Sequence, residues 1–385
     1  MLEQPPLSLY IHVPWCVRKC PYCDFNSHES NRPLPEKEYI AALYSDFLYE
    51  FSKLHDQEIE LQSIFIGGGT PSLLTGDSYR FLLDSIKSHL HFSKDIEITL
   101  EANPGSSDIR NFSAYREAGV NRLSIGIQSF DDKKLKKLGR IHDKKHSVNA
   151  IRIAKQAGFR NLNLDLMHGL PEQNTEEALR DLQLAIDAKP NHISWYQLTI
   201  EPNTFFYSHM PVLPSERRII DIQEKGSALL EANGYMQYEI SAFAADDKHS
   251  LHNCNYWSFG DYIGIGAGAH GKLTSVNEQK IIRTRKVRQP DEYINRIKSR
   301  DAEIKEVSTE ERAIEFLMNA LRFKAGFNKE LFEKRTGIPF VDISQKVLTQ
   351  IEKGLMYRKI TNKGESYATT QKGYRFLNSV LEEFL

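Results

Sequence analysis

The amino-acid sequence predicts an α/β fold. Residues 1–240 read as a partial (β/α)6 TIM-like barrel, 241–305 as a connecting segment, and 306–385 as a smaller, mostly helical, winged-helix-like domain. Three observations carry this reading. Apolar strand-like runs alternate with longer amphipathic stretches through the first 240 residues, as in a parallel sheet with crossover helices. Polar residues stand at the C-terminal ends of the strand runs, where barrel enzymes place their active groups. The C-terminal stretch carries three helical patterns, two short strand patterns and a closing helix.

In order, the strand runs are Leu7–Val13, Leu61–Ile66, Ile96–Leu100, Asn121–Ile127, Asn161–Met167 and His192–Ile200. Helical patterns lie between and after them at Glu36–Leu54, Gly76–Leu90, Asp108–Ala118, Lys144–Ala157, Thr175–Ala188 and Glu216–Asn233. Ala118-Gly119, Ala157-Gly158 and Asn233-Gly234 have the form of helix C-caps. From Gly234 to Arg300 the alternation breaks down into Gly-, Asn- and aromatic-rich sequence. Beyond Val307 come helices Thr309–Phe323, Asn328–Arg335 and Val341–Lys353, strands Met356–Ile360 and Ser366–Thr369, and a last helix to Leu385.

At 385 residues the chain is long enough for about two to three domains and needs no disulfide staples. Hydrophobic residues at 40% and charged residues at 26% are ordinary globular usage. A net charge of −1 does not advertise nucleic acid or an anionic membrane. No stretch reaches ~18 consecutive apolar residues, so no membrane span is expected. The N-terminus MLEQPPLSLY lacks a basic region followed by an apolar one, which predicts a cytoplasmic, reducing compartment. The third helix of the C-terminal module carries Asp342, Lys346, Glu352 and Lys353, which cancel, so an interaction or lid module fits it better than a DNA reader.

Three of the four cysteines form one loop, Cys16-Val-Arg-Lys-Cys20-Pro-Tyr-Cys23, just after the first strand. Structural zinc prefers two separated pairs giving four ligands. Three clustered thiolates suit an iron–sulfur cubane with one iron left open. A zinc site completed by His12 or His28 is the alternative. Further along, Glu101, Gln128 and Asp165 each close or interrupt an apolar strand run, where a polar group is costly unless it faces a ligand or a partner.

The C-x3-C-x2-C loop resembles the radical S-adenosylmethionine (SAM) superfamily. Together with IFIGGGTPSLL, EANPG, NRLSIGIQSF, LGRIH, NLDLMHGLP and HNCNYWSFGDYIGIGAGAHG, it is similar to the anaerobic coproporphyrinogen-III oxidase family and its heme-chaperone HemW subfamily. The resemblance implies that Cys16, Cys20 and Cys23 hold one 4Fe–4S cluster whose open iron chelates SAM. It also implies SAM contacts from Tyr10, Tyr22, Gly68, Gly69, Thr70, Glu101, Gln128, Arg140 and Asp165. Taken alone, Gly67-Gly68-Gly69-Thr70 is a tight turn and Arg140 a solvated arginine.

The element His252-Asn-Cys254-Asn-Tyr256-Trp257 lies outside the alternating core, and a histidine there is ordinarily a packed or capping one. By resemblance it is linked to heme, with His252 as the candidate ligand. Cys254 falls at a variable position. The basic run Arg283, Arg285, Lys286 and Arg288 would suit heme propionates, but reads more simply as a solvated surface run. Gly266-Ala-Gly268-Ala-His-Gly271 matches a dinucleotide fingerprint without the helix that such a motif needs.

Two departures separate the chain from the dehydrogenase branch. Phe25 stands where that enzyme carries a further cysteine, and the chain reaches Tyr10 without an N-terminal extension. The resemblance therefore implies a protein that binds heme and passes it to heme-accepting proteins such as respiratory enzymes, with no dedicated catalytic turnover. Oxygen-independent oxidation of coproporphyrinogen is the alternative. The sequence leaves a homodimer open.

Overall fold

The computed structural model describes residues 1–30, 32–54, 59–105, 109–361 and 364–385. Its main sheet contains Leu7–Val13, Leu61–Gly68, Phe92–Ala102, Arg122–Gln128, Asn161–His168 and His192–Gln197, side by side in chain order and all parallel. Uninterrupted order is that of a barrel; a doubly wound sheet reverses direction midway. Leu9, Ile11, Ile64, Ile66, Leu123, Ile125, Leu162 and Leu164 are fully or almost fully buried, as strands covered on both faces require.

The crossover helices begin where a side chain satisfies their first free N–H groups. Thr75 accepts from Ser78, Asp143 accepts from His146, and Asn174 closes a capping box with Glu177. The helix expected over Asp108–Ala118 spans Phe112–Glu117, and Asp108 lies outside the described residues. The last barrel strand stops at Gln197, three residues earlier than its apolar run.

Residues 241–305 do more than connect. Asp261–Ile265 pairs in parallel with Leu7–Val13, and His270–Ser275, Lys280–Lys286 and Asp301–Glu306 extend the sheet beyond it antiparallel. The glycines that made this stretch look like loop serve strand contact instead. A Cβ on Gly264 would fall 1.8 Å from the His270 carbonyl oxygen. Gly266–Gly271 joins two antiparallel strands, so the fingerprint has no helix behind it.

The C-terminal domain has helices Thr309–Ala320, Lys329–Thr336 and Val341–Glu352, a hairpin of Met356–Thr361 with Gly364–Thr369, and Phe327–Asn328 as a third strand. The closing helix is broken into Gln371–Arg375 and Leu377–Glu382 at Phe376, whose φ is −112° and ψ 41°. Phe316, Phe327, Phe332 and Val347 form its core together with Leu2, Phe259 and Ile281 from the sheet domain. Leu2 and Phe259 precede the parallel strands Leu7–Val13 and Asp261–Ile265, so the domain is fastened at the N-terminal end of the sheet. Arg283–Glu315 (2.7 Å) and Arg322–Glu239 (3.2 Å) add ion pairs. This corrects the lid expectation, because the barrel mouth is at the opposite strand ends.

Candidate cluster, cofactor and ligand site

The cysteine loop is pinched shut at its base. Trp15–Cys16 pairs with His28–Glu29, His28 N–H donates to the Pro14 carbonyl, and Ser30 N–H donates to the Cys16 carbonyl. The three thiols are free and half-buried. Burial raises the Cys16 and Cys23 pKa values, and the neighbouring thiols add to the rise. Thiols close enough to perturb one another are the donors that a cluster needs, one per iron. Among the described residues no three His, Cys, Asp or Glu side chains close around a single ion. His12 is also committed elsewhere: Nδ1 lies 2.9 Å from Tyr10 Oη, and Nε2 lies 2.9 Å from the Asn26 carbonyl. His12 is therefore not free to complete a zinc site, whereas His28 Nε2 has no partner among the described residues; three thiols with one position open suit a cluster.

The glycine turn after the second barrel strand is laced to that loop. Gly69 N–H donates to the Val13 carbonyl and Thr70 N–H to the Trp15 carbonyl. Gly68 has φ +112°, and a Cβ there would sit 2.5 Å from the His12 ring. Any side chain at that point would be both strained and blocked. A polar chain then runs from the turn to the cysteines. Asn103 Nδ2 donates to Thr70 Oγ1 (3.0 Å), while Arg140 donates to Asn103 Oδ1 and to Cys20 Sγ (3.5 Å).

The other expected cofactor contacts converge on the same rim. Glu101 accepts from Gly68 N–H (3.2 Å); burial first, and Asp165 second, push its pKa up to about 8. Asp165 accepts from Ser124 and Asn163, both at 2.8 Å, and burial raises its pKa too. Gln128 adopts a left-handed φ of 66° at the end of its strand and accepts from Tyr196 Oη (2.6 Å). Tyr10 is near Glu101, and Tyr22 is near Arg140 and packs on Phe206. Two members of the site escaped the sequence reading. Asn103 follows Glu101 at the same-face spacing of two within EANPG, a signal that was available. Tyr196 looks like any strand aromatic.

Beside this rim lies a cavity of about 730 Å³, within the usual range for a ligand site. Tyr10, Gly68 and Glu101 line it, as do Phe25, Phe65, His252, Tyr256, Trp257, Arg285 and Arg288. His252 is carried by the helix Leu251–Trp257, which starts on the Ser250 cap. The element expected outside the alternating core is in fact packed against it. His252 Nδ1 lies 3.1 Å from Ser63 Oγ, and its ring centroid lies 5.2 Å from that of Phe65. Burial, helped by Arg122, lowers its pKa to about 3, so the imidazole stays neutral. The Cys254 thiol is pushed up to about 12, also by burial, which makes it inert.

The basic run is not a solvated surface. Lys286 is fully buried, and Arg283 pairs with Glu315. Only Arg285 and Arg288 of that run line the cavity. Strand alternation sends Lys286 to the face opposite Arg285, and Arg283, on the same face as Arg285, is taken by Glu315 of the C-terminal domain.

A parallel barrel with a three-cysteine loop and a glycine turn at its strand ends defines a radical SAM protein. Residues 10–185 match the Radical SAM superfamily and residues 307–376 match the HemN C-terminal domain. The chain belongs to the heme chaperone HemW family. It is 47% identical to the heme chaperone HemW of Haemophilus influenzae, covering 100% of this chain and 99% of that one. It is 46% identical to its counterpart in Escherichia coli, with 100% of both chains covered. The solved structure of Escherichia coli coproporphyrinogen III oxidase (HemN) superposes with a TM-score of 0.82 at 20% identity, over 99% of this chain and 90% of that one, which shows a shared fold. Among the described residues no helix is long and apolar enough to cross a membrane.

Proposed function

We propose that this chain is a cytoplasmic heme chaperone that binds heme in the 730 Å³ cavity and passes it to heme-accepting proteins such as respiratory enzymes. Beside that cavity it keeps a 4Fe–4S cluster on Cys16, Cys20 and Cys23. SAM sits against Tyr10, Tyr22, the Gly68-Gly69-Thr70 turn, Glu101, Gln128, Arg140 and Asp165. When bound, the cluster supplies the electron for reductive cleavage of SAM. The protein's own groups orient the cofactor: Arg140 is suited to its carboxylate through a planar fork of donors, and the turn offers backbone polar groups.

One observation carries the heme reading. His252 lines the cavity as a permanently neutral imidazole, and its Nε2 has no hydrogen-bond partner among the described residues. In the tautomer that carries its proton on Nδ1 toward Ser63 Oγ, the Nε2 lone pair is free for iron. Phe65 beside His252 offers an apolar face to a porphyrin, and Trp257, whose ring Arg322 covers on one side, adds a second apolar surface to the lining.

The test is hemin titration of anaerobically reconstituted protein, followed by its absorption spectrum. Wild type is expected to bind about one heme and one cluster. His252→Ala should change the Soret band or the affinity without altering the iron–sulfur absorption. Replacing Cys16, Cys20 and Cys23 together by Ser should do the reverse. A wild-type Soret band in the His252 variant removes that ligand, and efficient conversion of coproporphyrinogen by wild type defeats the chaperone reading.

A further inference from the structure

The cavity is chemically lopsided. Phe65, Trp257 and the neutral His252 make one part of its wall, whereas Arg285 and Arg288 bring two permanent cations to another. The two arginines come from the end of strand Lys280–Lys286 and the turn after it. Alternation along that strand turns Lys286 inward, to a cluster of carboxylates, and leaves Arg285 on the other face.

Neither guanidinium is used up by the protein. Arg285 spends its Nε on Glu303 (3.1 Å), a partner that is itself half-exposed. Arg288 gives its Nε to Asn26 Oδ1 (3.3 Å) and has no ion-pair partner among the described residues. The terminal nitrogens of both have no hydrogen-bond acceptor there. Their combined field is felt nearby. The His270 pKa is lowered by burial first and then by Arg285, with Arg283 and Arg288 adding to the effect. Two unfilled guanidinium forks on one wall are suited to two carboxylates, because each fork matches a carboxylate edge through paired N–H donors. A ligand with a flat apolar body, a metal at one place and two carboxylates at another has the complementary layout.

We propose that Arg285 and Arg288 hold the two propionate carboxylates of the tetrapyrrole whose iron His252 ligates, and so fix its orientation in the cavity. The inference rests on the heme reading above and assigns the anionic half of that site.

The experiment compares hemin with hemin dimethyl ester, which keeps the iron and the macrocycle but lacks the propionate charges. Wild type should prefer hemin by about tenfold or more. In Arg285→Ala/Arg288→Ala, hemin affinity should fall to that of the ester, with ester affinity and Soret position unchanged. Arg285→Lys/Arg288→Lys should keep part of the preference, since the charge stays without the fork. If the double variant binds neither compound, Arg288→Ala alone decides, because that residue is exposed and outside any ion pair; its hemin preference should drop. Wild type binding hemin and ester equally, or an unaltered hemin preference in the arginine variants, overturns the propionate assignment while leaving heme binding in place. Wild type that binds neither compound defeats the heme reading itself.

Discussion

At the scale of single residues, Glu101 is the most informative group of the site. It is a carboxylic acid that burial holds protonated up to about pH 8, against Gly68 N–H and near Asp165. In the unfolded chain it would lose its proton near its ordinary value of 4.5. Between those two values the folded state binds more protons than the unfolded state, so this group makes stability fall as pH rises, by at most ~1.4 kcal/mol per unit. Glu101→Gln keeps an acceptor and removes the titration. Without cofactor, the variant's urea midpoint should fall less steeply than the wild type's from pH 5 to pH 8. Parallel slopes would show that Glu101 is ionised throughout. The sequence made Glu101, Gln128 and Asp165 legible because a polar residue closing an apolar strand is itself an anomaly. It could not reveal Tyr196, which looks like any buried strand aromatic until its hydroxyl is seen on Gln128.

At the scale of elements, the barrel strands were legible because burial on both faces forces long apolar runs. Lys280–Lys286 was not. Its sequence KIIRTRK carries four cations in seven residues, and a cation is ordinarily a sign of solvent. What the sequence hides is that Asp46 and Glu50 of helix Glu36–Phe51, and Asp301 of the next strand, converge on Lys286 Nζ at 2.9, 2.5 and 2.8 Å. Tyr293 donates to Asp46 at 2.6 Å, completing a buried lock between that helix and the outer sheet. Lys286→Met would leave Asp46 buried with no cation, while Lys53 stays on Glu50 (2.8 Å) and Asp301 (3.1 Å). Losing one partner of a buried ion pair costs about 3–5 kcal/mol, and chemical denaturation should show a loss in that range. A loss below about 1 kcal/mol would mean that the carboxylates relax into water or take up protons at little cost.

At the scale of the whole molecule, the two ends of the parallel sheet do different work. The C-terminal domain closes the end where Leu2 and Phe259 lie, leaving the cysteine loop and the glycine turn at the other end, and the cavity runs from that turn to Trp257, whose ring Arg322 of the domain covers. The added strands bring Arg285 and Arg288 to that cavity, while Tyr10, Gly68 and Glu101 belong both to it and to the proposed SAM contacts. Two ligands that share one wall of a 730 Å³ space crowd each other, so their binding is linked and the coupling is unfavourable. Coupling between sites is ordinarily worth 5- to 150-fold in affinity and is reciprocal. With the cluster in place, saturating SAM should therefore weaken hemin binding by about fivefold or more. Hemin should weaken SAM binding by the same factor, which gives the measurement an internal check. Such a coupling would let cofactor binding promote heme release without any movement of the C-terminal domain. Hemin affinity that is identical with and without SAM would mean that the two ligands do not meet at Tyr10 and Glu101, and would separate heme transfer from the cofactor.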